Sequence, residues 1–405
     1  MTWHPLWVIA YLTGLIASGH ISTNMYAPSL PAMAAYFDAS AASVQATVSV
    51  FLIAFAFGQL LYGPLSDRYG RRTVLIGGLI VYAVTTLGSV VLATLFPSIE
   101  VLILCRALQA LGACAGPVMG RAITRDLYSR EETARVMAYV AMAMGLAPAF
   151  APVLGGHLEE WFDWRASFLV TLGFVLVVLV ATLAALKETN TYRGVNTQES
   201  VVGMVGGFAE LVRSRDFMAF VLVGSLVYGG MFTFQTAGPF VIVDLLGYTA
   251  ADYGWFSAAP ILAYMVGSFI AGRLTHSTGV DAMVPIGMLA VVFGAAVFLT
   301  LALTMPASAL NVFGPLTVMS VGMSIMFPGT MAGAVSIKPR IAGTASALYG
   351  FLQMGAAAVV ISVLGLFESR SHLPFAWVCS LAMFAAGAVS FWQWRWSRSA
   401  PSSAQ

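Results

Sequence analysis

Gly63-Pro64-Leu65-Ser66-Asp67-Arg68-Tyr69-Gly70-Arg71-Arg72 packs one acidic and three basic side chains into ten residues. Apolar runs flank it on both sides, each about 20 residues long, the length that crosses about 30 Å of hydrocarbon at 1.5 Å per residue. A charged turn between two such runs reads as a turn between membrane spans, and the chain repeats this alternation throughout. Of 405 residues, 59% are hydrophobic and 9% charged, whereas soluble domains carry roughly 25% charge.

Twelve apolar runs are predicted as spans: 6–29, 43–62, 73–94, 98–120, 136–157, 166–186, 217–241, 254–273, 283–304, 308–330, 342–366 and 375–394. The first lacks the basic n-region and small-residue cleavage site of a removable signal, so it is expected to stay as a span. Cys105, Cys114 and Cys379 fall inside spans, where thiols act as small hydrophobes. Orientation follows from the 19 Lys and Arg, because basic residues in short loops stay on the cytoplasmic side. Sixteen of them, among them Arg68, Arg121, Lys187, Arg273, Lys338 and Arg395, lie at even-numbered turns or the C-terminus; Arg165 and Arg370 lie opposite, and Arg106 lies inside a span. Both termini are therefore expected to be cytoplasmic. The net charge of +2 comes without a clustered basic face, so nucleic acid is not an expected partner.

One connection is long and polar. Residues 187–216, with Lys187, Glu188, Asn190, Arg193, Asn196, Glu199, Arg213, Arg215 and Asp216, divide the runs six and six. The expected organisation is an N-terminal six-helix bundle over 1–186, a cytoplasmic linker over 187–216 and a C-terminal bundle over 217–405. A repeat supports it: 209 residues after the opening decapeptide stands Gly272-Arg273-Leu274-Thr275-His276-Ser277-Thr278-Gly279, which keeps both glycines and the leucine but has His276 where Asp67 stands. Duplicated halves of this kind place a solute site between them near mid-membrane and expose it alternately to the two sides.

The decapeptide closely resembles the signature loop of the major facilitator superfamily, Gly-x-Leu-x-Asp-Arg-x-Gly-Arg-Arg, at the same turn. In that pattern Gly63 and Gly70 permit a tight turn, and Asp67 can pair with Arg68, Arg71, Arg72 or a helix N-terminus as a conformational latch. Span five holds Gly145-Leu146-Ala147-Pro148 and Ala151-Pro152-Val153-Leu154-Gly155-Gly156, which looks like the family's antiporter motif; an interface of small residues is the plainer reading. Ser22-Thr23-Asn24-Met25-Tyr26-Ala27-Pro28-Ser29-Leu30-Pro31, Arg106-Ala107-Leu108-Gln109-Ala110-Leu111-Gly112 and Ala237-Gly238-Pro239-Phe240-Val241 resemble the Bcr/CflA branch of bacterial drug exporters. The likeness implies an all-α membrane protein with twelve transmembrane helices in two pseudo-symmetric six-helix bundles. It also implies a monomeric multidrug efflux antiporter of the bacterial inner membrane, driven by protons and conferring antibiotic resistance.

Arginine at mid-span costs about 2.5–3.5 kcal/mol even on lenient scales, so Arg106 is a functional-site hypothesis, against the plainer reading of a side chain snorkelling to the interface. It matches the family's fourth-span arginine, which couples proton and substrate binding, and Gln109 shares its face. Relatives carry an aspartate where this chain has Asn24, which cannot titrate. Asp38, Glu100, Asp244, Asp252 and Glu368 all lie at ends or in loops. His20, one turn before Asn24, either relays the proton or sits neutral in a helix interface. With no carboxylate opposite Arg106, an anionic metabolite or siderophore is an alternative cargo, with non-standard or absent proton coupling. The likeness also points to a cavity lined by Tyr26, Phe51, Phe55, Tyr228, Phe232, Gln235, Tyr264, Phe327, Tyr349 and Gln353. Absence of a phosphate loop, of metal-spaced His and Cys and of a nucleophile with its base argues against an enzyme, and no cofactor or metal is expected. A ligand-binding sensor on a transporter scaffold is the alternative from another class.

Overall fold

The computed structural model describes residues 5–190, 206–278, 282–367 and 371–399. Arg193, Asn196, Glu199, Gly279, Glu368 and Arg370 lie outside the described residues, and for Arg130, Arg135, Gly145, Pro148 and 275–278 only the helical backbone is described.

Every described regular element is helical. In order they are α1 (Pro5–Asn24), a 3-10 turn (Ala27–Ser29), α2 (Leu30–Tyr36), α3 (Ala41–Tyr69), α4 (Arg71–Leu95), α5 (Ile99–Leu127), α6 (Arg130–Trp161) and α7 (Trp164–Ala185). The helical residues 206–212 form α8. Then come α9 (Arg215–Pro239) with a π-helical extension (Phe240–Leu245), α10 (Ala250–Thr278), α11 (Met283–Thr304), α12 (Ala309–Ser336), α13 (Ala342–Leu364) and α14 (Leu373–Ser399). Among the described residues, ten helices are long and apolar enough to span a bilayer. Residues such as Val84, Val177, Val180, Leu289 and Phe293 expose their side chains outward, where lipid replaces water.

Local chemistry sets the helix ends. Hydroxyls of Ser40, Ser129, Ser214 and Ser308 and the carboxylate of Asp163 accept from the first-turn N–H groups of α3, α6, α9, α12 and α7. Span one departs from its predicted 6–29: α1 stops at Asn24, because Pro28 has no N–H to give the Asn24 carbonyl and its ring would strike that carbonyl. Pro239 likewise interrupts the α9 ladder just before the π-helical residues.

The chain divides into two compact units. Unit 1 takes Met1–Gly203 with Tyr248–Trp255, and unit 2 takes Met204–Gly247 with Phe256–Gln405. Unit 1 is built on α5, which packs against α1, α3 and α4, while α6 packs against α1. Where α1 ends, α6 comes so close that a Cβ on Gly155 would lie 1.8 Å from the Met25 carbonyl oxygen, so only glycine fits. Unit 2 is organised by α9 against α13 and α14 and by α11 against α12. Residues on both sides of the undescribed stretch are docked: Glu188 and Asn190 bind unit 1, and Leu211 of α8 is fully buried among Phe217, Val221 and Tyr349 of unit 2.

Candidate functional site

Arg106 sits on α5 with its side chain fully buried. Its Nη1 donates to the Gln109 Oε1 at 2.6 Å and to the Ser22 carbonyl at 3.2 Å. The guanidinium carbon lies 4.2 Å from the ring centroids of both Tyr26 and Phe51, and 5.9 Å from that of Phe168. Aromatic faces carry negative potential, so these rings stabilise the cation where water is excluded, by about 2 kcal/mol per desolvated contact. Nε and Nη2 have no hydrogen-bond partner among the described residues, and no carboxylate pairs with the cation there.

Hydroxyl groups extend the site. Gln109 Nε2 donates to Thr86 Oγ1 at 2.8 Å, and Thr86 in turn donates to the Tyr82 carbonyl at 2.6 Å. The Tyr82 hydroxyl donates to the Ser18 carbonyl at 3.0 Å and is hydrogen-bonded to the Ser22 hydroxyl. Tyr26 is fixed through its hydroxyl to Thr47 Oγ1 at 3.1 Å. Three helices, α1, α4 and α5, thus hold one guanidinium in a network that engages Nη1 and leaves Nε and Nη2 without a hydrogen-bond partner among the described residues.

Arg106 and Gln109 are brought together as their spacing predicts, and Tyr26 and Phe51 join them. Phe55 stacks on Phe51 at 6.0 Å and packs against Gly19. Asn24 turns its amide back onto its own helix, donating to the His20 carbonyl at 2.8 Å, and both side chains are half-buried. Ser22, Tyr82, Thr86, Thr47 and Phe168 escaped the sequence reading. A signal was available for two of them: Tyr82, Thr86 and Ser89 fall at i, i+4 and i+7 on α4, and all three are fully buried.

In unit 2, Tyr228 packs on Phe232 at 4.8 Å and Phe327 at 6.2 Å, and Tyr349 shares a 2.9 Å hydrogen bond with Thr330. Gln235, Tyr264 and Gln353 are half-buried. A separate small cleft in this unit, with room for about one water, is lined by Met231, Phe234, Met319, Ser320, Met323 and Met383, none of them among the residues the sequence singles out.

The charged turn is a closed network of its own. Arg71 Nη1 donates to Asp67 at 2.6 Å and to the Ser66 hydroxyl at 2.5 Å, while its Nε donates to Asp126 at 3.1 Å. Glu188 accepts from the backbone N–H of Arg71 (2.8 Å) and Arg72 (3.2 Å), at the N-terminus of α4, where the helix dipole favours an anion. Arg72 donates to the Leu186 and Leu183 carbonyls, and Asn190 donates to those of Ser66 and Asp67. Gly70 joins the two helices at φ 96°, a conformation that glycine adopts without strain, as the pattern requires. Gly63, expected to share in the turn, instead lies within α3, which runs on to Tyr69, so the turn is made at Gly70 alone; Arg68 lies over the Tyr69 ring. Of the span-five motif, Pro152, Gly155 and Gly156 are buried.

Comparison with known proteins agrees with this architecture. The sequence profile described as Major Facilitator Superfamily matches residues 12–361. The chain is 30% identical over 369 residues to the uncharacterized MFS-type transporter YdgK of Bacillus subtilis, covering 90% of each chain. It is 28% identical over 359 residues to a bicyclomycin resistance protein homolog of Haemophilus influenzae, covering 87% of each. Among solved structures, a D-xylose-proton symporter superposes with a TM-score of 0.76 at 14% identity, covering 96% of this chain and 97% of that one. At that identity the likeness speaks for the fold alone. The relatives are transporters and not enzymes, and a multi-pass helical chain that matches the profile along most of its length belongs to the major facilitator superfamily.

Proposed function

We propose that this protein is a secondary active exporter of small hydrophobic drugs or metabolites in the bacterial inner membrane, working as a proton antiporter by alternating access. One observation carries the reading: a fully buried guanidinium, Arg106, held by Ser22 and Gln109 over two aromatic rings with two nitrogens unpartnered. A cation kept in a desolvated span needs a reason beyond packing, since hydrophobic residues would fill the same volume at lower cost. The likeness to a bicyclomycin resistance homolog supports drug export, and the absence of an ATP-binding segment in the sequence points to an ion gradient as the energy source.

Expression in a strain lacking its own drug exporters tests this. Growth in bicyclomycin should rise with the wild-type chain and return to the background level with Arg106→Ala at equal membrane abundance. Equal protection by the two chains would refute the role of Arg106, and no protection against any of a panel of antibiotics would refute drug export.

A second reading of the cargo rests on a specific observation. Because no described carboxylate neutralises Arg106 and Asn24 cannot, the site carries net positive charge and suits an anionic solute such as a carboxylate metabolite or siderophore. Asn24→Asp should then depress transport of anions and spare neutral drugs; undiminished anion flux in that variant would remove this reading.

A further inference from the structure

Unit 1 contains a carboxyl group that the site around Arg106 does not use. Glu159 lies in the last turn of α6, two residues past the predicted span and beside the 3-10 turn that follows α1. Its Oε2 is buried and has no hydrogen-bond partner among the described residues, and the Ser29 hydroxyl, itself buried, lies against the group. The Glu159 side chain is half-buried with Oε2 closed off from water; burial disfavours the charged form of a carboxyl, and adding a proton removes that charge.

The neighbouring charges offer no other remedy. At the start of α7, Arg165 is committed to Asp163, through Nη1 at 2.9 Å, and to Thr94 at 2.8 Å. On α6 itself, Glu160 accepts the backbone N–H of Ala251 at 3.0 Å, and His157 stacks on Trp161 with centroids 5.1 Å apart. From α10, Asp252 is occupied capping its own helix through Thr249. On α5, Glu100 is bound by the Ser98 hydroxyl at 2.5 Å, and Arg106 is bound by Gln109 and Ser22. On α1, the titratable side chains are Tyr11, hydrogen-bonded to Thr182, and His20, five residues before the Met25 carbonyl that meets α6.

We propose that the Glu159 carboxyl, seated against Ser29, is a reversible proton-binding site of unit 1. It takes the place of the titrating group that Asn24 does not supply. Burial raises its affinity for the proton above that of an ordinary glutamate, the Ser29 hydroxyl opposes this, and the Asp163 charge adds to it. The carboxyl therefore keeps its proton to a higher pH than an exposed glutamate does, and releases it as the pH rises further. The proton-binding site stands on its own geometry; its part in transport rests on the antiport reading.

Infrared difference titration of the purified full-length protein in lipid decides the first point. Wild type should show a protonated-carboxyl C=O band that titrates above the ordinary glutamate value of about 4.3. Glu159→Gln should lose that band, Glu159→Asp should retain one, and Ser29→Ala should move its midpoint upward. Identical bands in wild type and Glu159→Gln, or a Glu159 midpoint at or below the ordinary value, would overturn the proposal. In proteoliposomes, Glu159→Gln should cut bicyclomycin-driven proton movement at least tenfold while bicyclomycin counterflow persists. Full proton movement in that variant would remove the coupling role. Should wild type move no bicyclomycin, the drug-export reading fails while the infrared result stands.

Discussion

Replacing Gln109 by leucine is the sharpest probe of the Arg106 network, because it keeps the volume and removes both hydrogen-bonding ends. Its Oε1 accepts from Arg106 Nη1 at 2.6 Å, a bond to a charged donor and so worth about 1.5–3 kcal/mol. Its Nε2 donates to Thr86, which keeps its own bond to the Tyr82 carbonyl, so that loss is about 0.5–1 kcal/mol. Together they make about 2–4 kcal/mol, or roughly 5–15 °C in thermal midpoint for a unit of about 200 residues. Thermal unfolding of the purified protein, followed by intrinsic fluorescence, reads this directly. Gln109→Glu is the control: it retains the acceptor, supplies a counter-ion and should unfold at or above the wild-type temperature. It should also bind anionic solutes less well than neutral ones. A Gln109→Leu midpoint within about 1 °C of wild type would refute the inference that Gln109 holds the guanidinium.

Three further outcomes follow from other contacts. Gly155→Val would push a side chain into the Met25 carbonyl, 1.8 Å from the first added carbon, and should cost about 3 kcal/mol or more through forced separation of α1 and α6, seen as loss of folded yield in size-exclusion profiles. Glu188→Ala removes the anion that caps α4 at Arg71 and Arg72 and should lower stability by about 1–2 kcal/mol in thermal unfolding, with Glu188→Asp losing less. Lys338 holds the Glu210 carboxyl below the usual range through a hydrogen bond. A depressed folded value contributes stability above the unfolded value and loses it as the pH falls through the folded one. Both groups are exposed, so Glu210→Gln should leave thermal unfolding at neutral pH unchanged, and a large shift would contradict that solvation.

Sequence reading reached the helical class, the charged turn and the buried arginine because each is written in one contiguous stretch. Apolar length marks a span, the glycine-flanked decapeptide marks a turn, and Arg106 stands out against an apolar background. The partners of Arg106 were hidden for the opposite reason. Serine, threonine and tyrosine are common in membrane helices, and which of them meet depends on rotation and depth of α1, α4 and α5 relative to one another, quantities that no single helix encodes. The predicted span 6–29 overruns the end of α1, because apolar length alone carries through Pro28, although a proline denies its N–H to the residue four places back, here Asn24. Glu188 and Asn190 fall in the polar stretch that the sequence marks as linker, because polarity looks alike whether water or a helix terminus satisfies it.

Asn24, which cannot titrate, and Ser29, whose hydroxyl lies against Glu159, belong to one stretch of chain. Arg106 carries a permanent charge, and the rings of Tyr26 and Phe51 with the Ser22 carbonyl stabilise it without any group that titrates near neutral pH. The proposed proton-coupled cycle then draws on another titrating group, and in this unit we assign that part to Glu159. The break in α1 after Asn24 lifts Ala27–Ser29 out of the helix and sets the Ser29 hydroxyl beside Glu159, while Gly155, one turn earlier on α6, keeps the Met25 carbonyl close. Protonation at Glu159 therefore acts on the segment that continues directly into Tyr26, the ring over Arg106. That continuity links a proton at the end of α6 to the ring over the guanidinium: four residues of backbone, Tyr26 to Ser29, join the Ser29 contact with Glu159 at one end to the cation–π contact with Arg106 at the other.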